Sequence, residues 1–161
     1  MASHFESAKG AYIIKNYKEN MPKDGVVIVR GTSVINELIK ILPKINSHGP
    51  NIKIVAALSS TLFKMQSHEY QDNILSKKDW FNSMIITNTS LKNMGNWIKN
   101  PLTKEYSLSP DWDNQWRFGG NLEEVIDESH LSSDWQMKAI NKFCDEKNKR
   151  HQFLKNMLPD K

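Results

Sequence analysis

Two apolar runs separated by an amphipathic stretch form the clearest pattern in this chain. Residues 26–29 are all Val or Ile, residues 52–57 form a second run, and apolar residues recur every three or four positions from Val34 to Ile45. Buried parallel strands are apolar because helices cover both sheet faces, and a parallel connection needs a dozen or more residues. The pattern predicts strand, tight turn, helix and strand, with Gly31 at the carboxyl edge, where open α/β sheets usually bind ligands.

Further β-prone segments extend this unit on both sides. Residues 11–15 predict a first strand, and residues 83–87 predict another buried strand. Residues 100–116 have no clear period and predict a long loop, with one short strand near residues 105–108. Alternating strands and helices of this kind indicate an α/β domain.

Cap and breaker residues mark the expected helix boundaries. We expect Thr32 or Ser33 to cap the first long helix, and Pro43 to distort or end its last turn. Ser90 is expected to cap a helix after the strand at residues 83–87. Ser133, with Gln136 three residues later, predicts the start of a final long helix whose apolar stripe continues to about residue 158.

Length and composition favour one globular domain over residues 1–161. Charged residues make up 25% and the hydrophobic set 39% of the chain, which is ordinary globular usage. No apolar run approaches the ~20 residues of a membrane helix, and the first residues lack the pattern of a secretory signal. The single Cys144 cannot form an internal disulfide, so a cytoplasmic location is expected.

The net charge does not predict a nucleic-acid partner. The chain carries a formal charge of +4 and has a pI near 9.1, but its Lys and Arg residues are interspersed with carboxylates. Phosphate neutralisation needs clustered cations. The densest basic run, residues 147–151, is interpreted as a solvated helix face.

One candidate ligand site follows the first parallel strand. A helix N-terminus presents unpaired N–H groups and positive dipole character, so a small anion could bind at the turn. The residues concerned are Arg30, Gly31, Thr32 and Ser33. The simpler interpretation is a glycine turn with a hydroxyl cap, because phosphate-binding loops usually contain several glycines.

No catalytic, cofactor-binding or metal-binding residue is predicted. The histidines His48, His68, His130 and His151 are far apart in the sequence, and no metal-ligand spacing occurs. Cys144 is expected to be a small buried thiol rather than a nucleophile.

An aromatic cluster is the remaining candidate for contacts with a partner. It comprises Trp112, Trp116 and Phe118, with Trp97 as a further candidate, and polar residues lie among them. Aromatic rings with polar handles suit sugar stacking, subunit interfaces and loop anchoring, and we favour an interface or an anchor.

Several short segments, in order, resemble the C-terminal domain of transketolase and its thiamine-diphosphate-dependent relatives. The segment of residues 10–14 is similar to that domain's first strand, and Gly31 and Thr32 resemble its strand–Gly–Ser–helix turn. The spacing of Leu62, Phe63, Gln66, Tyr70, Ile74 and Leu75 also matches a family pattern. The segment of residues 117–119 resembles the closing Arg-Phe-Gly segment, so the similarity spans about residues 10–145.

The resemblance implies a three-layer α/β/α domain with a five-stranded, mostly parallel mixed sheet whose first strand is antiparallel. The core would occupy about residues 10–145, followed by a C-terminal helix and tail to residue 161. In the family, preceding domains hold thiamine diphosphate and a divalent metal, and this chain lacks their Gly-Asp-Gly motif. No catalytic residue is therefore carried over.

The expected function is that of a non-catalytic C-terminal domain or small subunit of a transketolase-like enzyme, serving packing, dimerisation or regulation. Its partners would be the cofactor-binding domains or subunits, in a homo-oligomer. We also expect an exposed apolar patch where those partners pack, with Trp112, Trp116 or Trp97 as candidate members. The alternative is an independent small-anion-binding or regulatory module that uses residues 30–33.

Overall fold

A four-stranded mixed sheet organises the described part of the chain. The computed structural model describes residues 4–115, 117 and 119–157. The strands are β1 (Ala11–Lys15), β2 (Gly25–Arg30), β3 (Ile52–Ala57) and β4 (Ser83–Thr87), in the order β1-β3-β2-β4. β2 pairs in parallel with β3 and β4, whereas β1 is antiparallel to β3. The predicted parallel unit and the antiparallel first strand are confirmed.

Helices surround the sheet. They are α1 (His4–Ser7), α2 (Thr32–His48), α3 (Ser60–Lys64), α4 (His68–Ile74), α5 (Lys77–Phe81), a 3-10 helix (Leu91–Trp97), α6 (Pro101–Glu105), α7 (Leu122–Glu128), α8 (Ser133–Asp145) and α9 (Lys147–Met157).

The prediction of a fifth strand is wrong for the residues that the structure describes, because the sheet there has four strands. Leu108 forms only an isolated parallel bridge with Ile86. Its N–H donates to Ile85 O at 2.8 Å, and its carbonyl accepts from Thr87 N at 3.0 Å. Pairing stops there because α6 occupies the chain up to Glu105, and Pro110, which has no N–H, follows closely.

Each face of the sheet carries its own buried core. Val27 and Val29 pack with α2 and α8, whereas Val26 and Ile28 pack with α3, α4 and the 3-10 helix. The two sets alternate along β2 because successive strand side chains point to opposite faces. The sheet is therefore covered by helices on both faces, as the apolar runs predict.

Helix α2 differs from its sequence-based prediction at both ends. Its N-cap is Gly31, with no side-chain cap, so neither Thr32 nor Ser33 has the expected role. The helix also continues through Pro43 to His48. It continues because the buried face persists beyond the proline, where Ile45 is fully buried.

The C-terminal segment forms two helices, and one basic residue in it is buried. Arg150 of α9 is 3% exposed, and its guanidinium lies 3.7 Å from the ring centre of Phe143 in α8. Arg150 Nη2 donates to Asn82 Oδ1 at 2.9 Å. The interpretation of residues 147–151 as a fully solvated face is therefore wrong at Arg150, since α9 packs this side chain against the core.

Candidate functional site at the carboxyl edge

The turn between β2 and α2 lies at the carboxyl edge of the sheet, as predicted. Gly31 has φ +109°, a region that favours glycine, and a Cβ there would clash with the side-chain amide of Asn88. Asn88, which follows β4, donates from Nδ2 to Ser33 Oγ at 3.2 Å and from its backbone N–H to Arg30 O at 3.2 Å. Gly31 thus permits close contact between the turn and the end of β4.

Arg30, Gly31, Thr32 and Ser33, the candidate anion site beside the simpler interpretation of a capped glycine turn, all lie at this turn. The half-buried Arg30 directs Nη1 towards Met94 Sδ, 4.0 Å away. The first turn of α2 has no side-chain cap and no acidic residue. These features are compatible with an anion, but Asn88 already contacts the turn, and anion binding stays a prediction.

An exposed apolar surface lies beside this turn. We define the α3 surface as Leu58, Leu62 and Met65, which are 37%, 42% and 75% exposed. Leu58 directly follows β3, and Ser59 caps α3 by accepting from Leu62 N–H at 3.3 Å. Because Phe63 faces the core at 3% exposure, Leu62 and Met65 lie on the other side of the helix turn. Large contiguous apolar patches often mark contact surfaces, and these three side chains are candidates for the exposed patch expected from the sequence.

The predicted aromatic cluster divides between core and loop. Trp97 is 2% exposed and stacks between Phe63 and Trp80, so it packs inside the domain rather than on an exposed surface. Trp112 is 53% exposed and stacks on His130 with a ring-centre distance of 4.0 Å. Trp116 and Phe118 lie outside the described residues.

The stack on Trp112 fixes the long loop to the helical layer. His130 also stacks on Trp135 of α8, with a ring-centre distance of 3.8 Å. Asp111, next to Trp112, accepts from Ser90 Oγ at 2.7 Å and from Leu91 N–H at 3.3 Å. These contacts hold the loop beside α8, and an interface role for the exposed Trp112 stays a prediction.

A buried ion pair lies at the opposite, amino edge of the sheet. Lys53 Nζ donates to Asp79 Oδ2 at 2.8 Å, and both residues are less than a tenth exposed. Tyr17 OH donates to Asp79 Oδ1 at 2.9 Å, and Ser76 N–H donates to Oδ2 at 3.1 Å. Burial alone raises the pKa of the Asp79 carboxyl, but Lys53 and Tyr17 bring the net pKa below its usual range.

Sequence analysis missed this pair, although a signal was present. Lys53 lies within an apolar run predicted to be buried, and a buried lysine requires a carboxylate partner. Its partner lies 26 residues away in α5, so only the folded structure shows that the two side chains meet. The α3 surface was missed because Leu62 and Phe63 look alike in a short apolar segment.

Cys144 does not resemble a reactive cysteine. The half-buried thiol lies in α8, and burial, followed by the negative charge of Asp24, raises its pKa to about 12. A thiol with this pKa is overwhelmingly protonated at pH 7, whereas the thiolate is the nucleophile.

Two features are absent from the described residues. No three His, Cys, Asp or Glu side chains in these parts of the chain are grouped as metal ligands. No helix in the same parts has the length and apolar character required to cross a membrane.

Comparisons with known proteins show which solved structures share this fold. No protein-family model matches the chain, and no curated protein matches it by sequence. Among solved structures, transketolase from Leishmania mexicana aligns with a TM-score of 0.65 and 9% identity, over 90% of this chain. The chain shares its fold with part of transketolase.

Two further transketolases give the same result. The Pichia stipitis enzyme in complex with sedoheptulose-7-phosphate aligns with a TM-score of 0.63 and 16% identity over 89% of this chain. The Campylobacter jejuni enzyme aligns with a TM-score of 0.62 and 15% identity over 84%. In all three cases the chain covers only 19% of the transketolase. The resemblance to the transketolase C-terminal domain is thereby supported as a likeness of fold.

Proposed function

We propose that this chain is a non-catalytic C-terminal-like domain or small subunit of a transketolase-like enzyme. The observation that carries the proposal is the coverage: 84–90% of this chain aligns with 19% of each transketolase. A chain that corresponds to one domain of a larger enzyme is expected to act together with the other domains.

The α3 surface is the proposed contact for these partner domains. Leu58, Leu62 and Met65 are exposed at the carboxyl edge, where β3 ends beside β2 and the β2–α2 turn begins. Interface cores are depleted of charge and enriched in Met. Burial of these side chains against a partner would remove apolar area from water and stabilise the assembly.

Thiamine diphosphate and its divalent metal belong, in this proposal, to the partner. The described residues contain no group of three metal-ligating side chains, and the sequence has no Gly-Asp-Gly motif. This chain would contribute packing, dimerisation or regulation, and the ketol-transfer chemistry would take place on the other domains.

Co-purification from the source cells tests the proposal. The tagged 161-residue chain should retain a partner that contains thiamine diphosphate, measured as its fluorescent oxidation product, and the complex should transfer ketol units between sugar phosphates. A chain that elutes as a monomer and retains no thiamine-diphosphate protein would overturn the proposal.

Matched variants test the contact surface. Leu62→Gln with Met65→Gln should reduce partner recovery about tenfold or more, because apolar contact area is lost. Leu122→Gln is the control, since Leu122 is 69% exposed on α7, which packs with the core on the sheet face opposite to that of α3. Equal recovery with the paired variant and the control would exclude the α3 surface as the contact.

A further inference from the structure

A groove at the amino edge of the sheet is unused by the proposed function. It has a volume of about 640 Å³ and lies between α5, the start of α6 and α9. Asn82, just before β4, and Lys23, just before β2, place it at the edge opposite the α3 surface. Ligand pockets in proteins commonly measure ~300–1,000 Å³.

The floor of this groove is apolar. Phe81 at the end of α5 is 49% exposed, although it is a large aromatic side chain. Pro101 at the start of α6 and Leu154 of α9 complete the apolar floor. Apolar side chains from three separate helices thus converge on one concave surface, which would bury the body of an organic ligand.

The rim of the groove is cationic. Lys23, Lys77, Lys78 and Lys99 line it, and all four are exposed. Within the described residues, no carboxylate lies within ion-pair distance of these four lysines. Lys23 and Lys99 instead lie over aromatic rings, 4.8 Å from the ring centre of Tyr17 and 5.2 Å from that of Trp80.

The acidic side chain in the groove does not cancel this charge. Asp79 lines the wall, but its carboxylate already pairs with Lys53 and accepts from Tyr17. The four rim lysines therefore carry positive charge that has no counterpart in the groove. Charge of one sign in a concave, apolar site attracts and orients ligands of the opposite sign.

We propose that this groove binds a small organic anion with an apolar body, such as an alkyl or aromatic carboxylate or sulfonate. The apolar body would lie on Phe81 and Leu154, and the anionic group would face Lys77, Lys78 and Lys99 at the rim. A bare inorganic anion has no apolar surface to bury on the floor, and a neutral apolar molecule has no charge for the lysines to attract. Both should therefore bind more weakly than an organic anion.

Titration with 8-anilinonaphthalene-1-sulfonate, an aromatic sulfonate whose fluorescence rises in apolar sites, tests the proposal on the full chain. We expect saturable one-site binding that octanoate displaces. Octan-1-ol and inorganic phosphate at equal concentration should displace the probe poorly. The affinity should fall as NaCl is raised, because the lysines are solvent-exposed.

Variants locate the bound probe. Lys77→Gln with Lys78→Gln should raise Kd about tenfold, and Phe81→Gln should raise it by a similar factor. The charge-matched control is Lys44→Gln with Lys92→Gln, two exposed lysines outside the groove, and it should leave Kd within about twofold. Circular dichroism confirms that each variant is folded.

Three results would overturn the proposal. The first is an equal loss of affinity in the control and groove variants. The second is failure of octanoate to compete, or competition by octan-1-ol that is as strong. The third is loss of probe binding in Leu62→Gln, which would place the probe on the α3 surface instead.

Discussion

Lys53 shows how a single residue can determine the energetics of a strand. Its neighbours in β3 are apolar and buried, and Lys53 itself is 6% exposed. An ammonium in that environment is tolerated because Asp79 pairs with it and the carbonyl of Ile74 accepts a hydrogen bond from it at 3.2 Å. Burial, followed by the charge of Asp79, also raises the pKa of Tyr17, which stays protonated and donates to the carboxylate.

Removal of the lysine should therefore destabilise the protein. In Lys53→Met, the carboxylate of Asp79 stays buried without its cation, and we expect the free energy of unfolding at pH 7 to fall by about 3–5 kcal/mol. Urea denaturation followed by tryptophan fluorescence measures this change. The double variant Lys53→Met with Asp79→Asn removes both charges and should recover part of the loss. A single variant as stable as the native chain would contradict this account.

At the scale of elements, α2 shows tertiary packing overriding a local signal. Pro43 has no N–H to donate to the carbonyl four residues earlier, and its ring crowds that turn, which explains the expectation that the helix would end there. The helix nevertheless reaches His48, with Ile41 and Ile45 in the core that α2 shares with α8. Burial of this face compensates for the missing hydrogen bond.

Replacement of this proline should stabilise the protein. Pro43 is exposed, so Pro43→Ala loses little packing and restores a helical hydrogen bond. The gain is partly offset because alanine makes the unfolded chain more flexible. We expect the free energy of unfolding to rise by about 1–2 kcal/mol, measured by thermal and urea denaturation. Lys44→Ala, at the next exposed position, should change it by less than about 0.5 kcal/mol. A less stable Pro43→Ala protein would refute the argument.

At the scale of the whole molecule, the two edges of the sheet have different characters. The carboxyl edge carries the glycine turn and the apolar α3 surface, whereas the amino edge carries the buried ion pair and the cationic groove. A partner could thus occupy one edge while a small ligand occupies the other.

Carboxylates distributed over the molecule make its stability sensitive to acid. Burial alone raises the pKa of Glu37, Asp79 and Asp111, but hydrogen bonds to each carboxylate bring the net pKa below its ordinary value. Lys40 is such a donor to Glu37, and Lys53 is such a donor to Asp79. A carboxyl whose pKa is lower in the folded state contributes stability above the unfolded pKa and loses it as pH falls. This contribution should be complete above about pH 5 and decline below about pH 4.

Thermal denaturation between pH 6 and pH 2.5 measures this dependence, and the melting temperature should fall with acidification. Glu37→Gln retains a side chain that can accept from Ser133, with one titrating group fewer, so its melting temperature should depend less steeply on pH. A melting temperature that rises below pH 4 would be inconsistent with the lowered pKa values.

The sequence predicted the fold to the extent that the fold depends on local patterns. The runs at residues 26–29, 52–57 and 83–87 became β2, β3 and β4 because a strand covered on both faces is mostly apolar. The turn at Gly31 was also placed correctly. The fifth strand was not, because pairing at Leu108 depends on where α6 ends.

The sequence by itself therefore determined the α/β class, the parallel unit and the position of the glycine turn, since hydrophobic periodicity and turn chemistry are local properties. Only the tertiary structure decided that Lys53 meets Asp79, that Trp97 is buried while Leu62 and Met65 are exposed, and that four lysines surround one groove. Those arrangements join residues distant in the chain, and their proximity depends on how the elements pack.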